Sequence, residues 1–168
     1  MARISTRKSV DVDYWRGRLE AARAFHKAAE DAITLAEPGS NANPAISQMV
    51  LAAIAYGDCL TAKRANVINQ QSHAAAPKLL RDVLGATLPT AQENRYRRIL
   101  GHKDESQYGA RSASVIHAQR LLDELQEFAL WVEDQFYGGK PAHSSASLRP
   151  LPHQFFKQTK GNFLKNGW

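Results

Sequence analysis

The clearest pattern along the chain lies between Ser114 and Phe136, where Val115, Ala118, Leu122, Leu125, Ala129, Val132 and Phe136 recur at alternating steps of three and four residues. That period lays one apolar stripe along a helix and predicts packing against partner helices. A second stripe, Trp15, Leu19, Ala22, Ala29, Ile33 and Ala36, predicts a helix from Asp11 or Asp13 as N-cap to about Glu37, stopped by Pro38-Gly39. His26 falls on that stripe and reads first as a core or interface residue. Between the two, Asn43-Pro44 opens a segment to about Ala65 that is apolar on nearly every side. Such a helix must be covered all round, so it is predicted at the bundle centre, its alanines and Gly57 allowing close approach. Asp58 inside it is costly to bury without a partner.

Shorter elements complete the pattern. Asn66 to Ser72 reads as a polar connection, with His73 just outside a short helix from Ala76-Pro77 to Leu84 that Gly85 ends. Thr90 and Glu93 have the spacing of a capping box for a helix carrying Tyr96, Ile99 and Leu100, with Gly101 as a left-handed terminator. The fold class is therefore all-α, an up-and-down bundle of four to five helices occupying residues 11–137.

Charge adds a feature that periodicity does not. Of the formal +6, residues 1–10 hold +3 and residues 138–168 hold +5, leaving −2 on residues 11–137. Residues 1–10 thus read as a basic N-terminal arm, and 138–168 as a basic C-terminal tail. In the tail, Phe155, Phe156, Phe163 and Trp168 alternate with Lys157, Lys160 and Lys165. Aromatics that stack on bases, interleaved with phosphate-pairing lysines, suit single-stranded nucleic acid, and packing of the aromatics on the domain or on a second copy is the structural alternative.

Several classes drop out. The lone cysteine, Cys59, excludes a disulfide framework and a cysteine-rich zinc site, and its place in the most apolar helix makes an inert thiol. The histidines have no metal-ligand spacing, and there is no phosphate-cradling glycine loop. No metal and no cofactor is expected. Neither a secretory leader nor a membrane span is read, which gives a soluble cytoplasmic protein with no membrane partner.

Candidate chemistry concentrates in Arg95 to Tyr108, RYRRILGHKDESQY, where Arg95, Arg97 and Arg98 occupy the last turns of a helix and His102 and Lys103 follow its end. Cations there also favour the helix dipole, so a solvated helix end is the structural alternative.

The run LAAIAYGDCLTAKRAN, followed by His73 and a short leucine helix, resembles the second and third helices of HEPN domains. HKDESQYGARSASVIHAQRLLDELQEFALWVED looks like the end of such domains, and the likeness spans roughly residues 13–137. The resemblance implies a helical bundle that pairs as a homodimer and, in active members, a metal-independent endoribonuclease. Arginine, four to six residues, then histidine is the implied catalytic pair, which Arg97 or Arg95 with His102 matches. A histidine titrating near neutral pH suits activation of a ribose hydroxyl, and an arginine suits the phosphate. A second alignment puts Lys103 and Tyr108 in those slots. The site then grips phosphate through Lys103 and Arg111 without a base.

Three functions follow. The first is a weakly catalytic or non-catalytic module binding RNA or nucleotide through Arg95, Arg97, Arg98, His102, Lys103 and Tyr108, assisted by the tails. The second is a toxin-like ribonuclease using Arg97 and His102 with Asp58 in support, with an antitoxin partner. The third is an interaction module that docks a protein and touches no nucleic acid.

Overall fold

The computed structural model describes residues 7–70 and 73–137. In chain order it has β1 (Arg7–Ser9), α1 (Tyr14–Thr34), α2 (Asn43–Ala65), β2 (Val67–Asn69), α3 (Ala76–Leu84), α4 (Thr90–Gly101), α5 (Lys103–Tyr108) and α6 (Val115–Tyr137). His102 alone separates the short α5 from α4, and the helices of the described residues pack as a bundle. The all-α expectation holds. The residues of the C-terminal tail lie outside those described, as do residues 1–6.

The centre is α2, which packs against α1, α3, α4, α5 and α6. Its all-round apolar surface is the reason, since Met49, Val50, Ala52, Ala53, Ala55 and Cys59 are all fully buried. By length and composition α2 would suffice to cross a membrane, with a mean hydropathy of 1.3, which corrects the reading that no such stretch exists. Yet 83% of that window is buried inside the bundle, so its apolar surface is covered by neighbouring helices.

Each long helix buries the stripe its sequence displays: Leu19, Ala22, His26, Ala29 and Ile33 on α1, and Ala118, Leu122, Leu125, Ala129 and Val132 on α6. Aromatic stacking ties them together. Trp15 of α1 stacks on Phe136 of α6 with centroids 5.0 Å apart, and Tyr96 of α4 on Phe128 of α6 at 5.1 Å. Burial of a side chain such as Phe128 contributes about 1.5–3 kcal/mol.

Gly57 is where the close approach of α2 matters most. A Cβ there would overlap the Tyr96 ring, falling 2.7 Å from its Cζ.

Three local readings change. Arg7–Ser9 and Val67–Asn69 form a small antiparallel ribbon, Lys8 opposite Ile68, where the sequence suggests an arm and a polar connection. Three-residue strands carry no periodicity from which to infer them. The Thr90–Glu93 capping box does not form, because Pro89 takes the N-cap position and no side chain caps the helix. Glu93 is instead buried and pairs with Arg81 of α3 and Arg97. Gly101 is not a left-handed terminator, since among the described glycines only Gly39 and Gly85 have positive φ.

Candidate functional site

The helix ends converge on one face of the bundle through a single side chain. Asn43, in the first turn of α2, donates from Nδ2 to the Arg111 carbonyl at 2.8 Å and accepts from the Ala113 amide at 3.1 Å. The Ala42 amide adds a bond to the Ala113 carbonyl at 3.0 Å. These bonds clamp the segment between α5 and α6 to the start of α2, which explains why Asn43 is buried despite its polarity.

The clamp forms one wall of a cleft of about 230 Å³, lined among others by Asn43, Ile46, His102, Ser106, Arg111 and His117. His102 enters from the junction of α4 and α5, and His117 from the first turn of α6. Their rings lie edge to face with centroids 5.0 Å apart. Ser106 holds α5 in place, its Oγ donating to the Lys103 carbonyl at 3.1 Å and lying 3.4 Å from Ser47 Oγ of α2.

The surroundings of His102 set its protonation. Burial, then the charge of His117, push His102 below the ordinary histidine value, while Glu105, which also lines the cleft, pulls the other way. Desolvation outweighs the carboxylate, so His102 is neutral near pH 7 with a ring nitrogen free to accept a proton. Arg111 is exposed and, among the described residues, its side chain has no ion pair.

The three arginines of α4 are placed differently. Arg97 donates to Glu93 Oε1 at 2.7 Å, Arg98 to Glu124 at 2.8 Å, and Arg95 lies 3.3 Å from Glu124. None of the three lines the cleft. Lys103 also lies outside its lining; after burial, its charge is the next cause holding His73 below the ordinary value. Asp58 accepts from Arg18 at 2.8 Å and from the Asn69 backbone, joining α1 and β2 to α2 away from the cleft. Tyr108 ends α5, and its side chain lies outside the described residues. Phe155, Phe156, Lys157 and Lys160 lie outside them as well.

The structure therefore brings together His102 and Arg111 of the sequence candidates. It adds His117, Asn43 and Ser106, which sequence reasoning missed. His117 had one legible signal, its place in the first helical turn after the short segment 109–114 that returns the chain to the end of α4.

Other chemistry has no foothold at Cys59, whose thiol burial pushes up to about 12. Among the described residues no group of three or more metal-binding side chains is clustered.

No family model and no curated protein matches the chain. Its fold is similar to that of the crystal structure of TT1696 from Thermus thermophilus, with 20% sequence identity, a TM-score of 0.60, and coverage of 73% of this chain and 98% of that one.

Proposed function

We propose that the chain is a HEPN-like domain that binds RNA, or the phosphate of a nucleotide, in the cleft of His102, Arg111 and His117. The observation that carries this reading is that Arg111, without a carboxylate partner among the described residues, opens on the same cleft as two imidazoles. An unpaired guanidinium is a bidentate phosphate donor, and imidazole N–H groups extend the donor set. The arginines of α4, engaged by Glu93 and Glu124, serve the fold in this reading. A cytoplasmic homodimer, with the cleft facing that of a second copy, follows from the HEPN resemblance.

Binding of labelled single-stranded RNA across a salt series tests the proposal. Phosphate contacts give an affinity that falls steeply with salt, and a docking module for protein gives none.

The histidine pair favours a second reading, metal-free cleavage. A neutral His102 can take the proton of a ribose 2′-hydroxyl while His117 serves as proton donor to the leaving 5′-oxygen, and Arg111 bears the phosphate charge. RNA cleavage in chelator, lost in both His102→Ala and His117→Ala, supports it; intact RNA at high protein concentration rejects it and leaves the binding reading.

A further inference from the structure

A second concavity, of about 290 Å³, lies between α1 and α6 over Tyr56 of α2. Its lining on α6 includes Leu130, about 20 Å along that helix from His117 at the rise of an α-helix. The RNA-phosphate reading makes no use of it.

Its floor holds an incomplete polar arrangement. His26 is only 7% exposed, and its Nε2 lacks a hydrogen-bond partner, the Glu30 carboxylate standing 3.6 Å away. On the other side of the ring, Nδ1 lies 3.4 Å from the Tyr56 hydroxyl. Burial pushes Tyr56 up to about 12, so the hydroxyl keeps a proton that it can offer to Nδ1. Burial also lowers His26, so the ring is neutral, and the Glu30 carboxylate beside Nε2 favours the tautomer that carries its one proton there. A buried N–H without an acceptor is a destabilising feature that a ligand acceptor removes.

The walls define which ligand. Arg23 grips Glu133 through two bonds of 2.7 and 2.5 Å, which hold its guanidinium plane still, with the Tyr137 ring 6.0 Å away. A guanidinium fixed in this way is a platform for a flat ring. Leu130, 57% exposed, supplies an apolar edge. Glu30 and Glu133 are balanced by Arg23 and Lys27 on the same lining, which suits an uncharged ligand. What remains is a donor, His26 Nε2–H, beside an acceptor, Glu30, facing a flat surface.

We infer that this groove binds a nucleobase, stacked on the Arg23–Glu133 plane, with a base acceptor taking the His26 Nε2 proton and an adjacent base N–H donating to Glu30. Every standard base carries an acceptor and a donor side by side on its pairing edge. The inference does not rest on the phosphate cleft.

Titration of the full chain with adenosine, guanosine, cytidine and uridine, followed by the ring ¹⁵N resonances of His26, tests it. Uncharged nucleosides make no phosphate contact. At least one should shift the Nε2 resonance saturably. Glu30→Gln, at a half-exposed site, should weaken that binding about tenfold. Leu130→Arg, which fills the groove from an exposed position, should abolish it. Arg111→Ala should leave it unchanged. No shift with any nucleoside at its solubility limit would overturn the inference, as would a shift that survives Glu30→Gln and Leu130→Arg or disappears in Arg111→Ala.

Discussion

The His102 and His117 rings meet edge to face with centroids 5.0 Å apart, although fifteen positions separate them in the chain. Two imidazoles that close do not both protonate readily. His102 is half-buried beside the second ring, so its NMR titration should fall below the ordinary 6.5. Because the second-largest cause of that shift is His117, His117→Ala should move the His102 midpoint upward. An unchanged midpoint would assign the whole shift to burial.

Burial lowers His26 as well, with a sign that follows directly for stability. Its folded value lies below the unfolded 6.5, so the unfolded chain binds the proton first as pH falls. Its contribution is complete above 6.5 and is lost as pH drops from there toward the folded value. Urea unfolding at about pH 7.5 and about pH 5.5 should therefore show a smaller acid-side loss in His26→Gln than in wild type. Equal losses would place the ring in water.

Gly57 faces Tyr96, which is 1% exposed and has no room to retreat. In an open helix a glycine-to-alanine change stabilises by about 1 kcal/mol. Here Gly57→Ala should destabilise by about 1–3 kcal/mol through overpacking, and the sign of the shift in urea midpoint decides.

Asp58 accepts its ion pair from Arg18 at 2.8 Å on the helix that precedes it. Arg18→Ala leaves a buried carboxylate with little compensation and should cost about 2–3 kcal/mol. RNA affinity, measured below the melting transition, should not change. A lost affinity with intact fold would return Asp58 to the binding site.

The helical part of this architecture was legible because burial repeats: α1 and α6 each show a stripe, and α2 shows apolar residues all round. What resisted reading depends on partners far off in sequence. The Asn43 clamp reaches 68 and 70 positions to Arg111 and Ala113. Glu93 matches a capping box locally, but Arg81 and Arg97 claim its carboxylate once α3 packs beside α4. The same competition removes Arg95, Arg97 and Arg98 from the cleft: Arg97 turns to Glu93, while Glu124 and Glu127 of α6 become neighbours of Arg95 and Arg98 only in the folded bundle. His102 could be found by its place after a helix end. Its companion His117 belongs to a different element, and only the fold brings the rings together.

The most direct measurement compares the salt dependence of RNA binding for wild type, Arg111→Ala and Arg97→Ala. Arg111→Ala should weaken binding and lower the log–log salt slope by about 1, the loss of one phosphate contact. Arg97→Ala, whose guanidinium is committed to Glu93, should bind as wild type does. The reverse ranking, Arg97→Ala weakened and Arg111→Ala unaffected, would contradict the placement of the phosphate in the His102–His117 cleft.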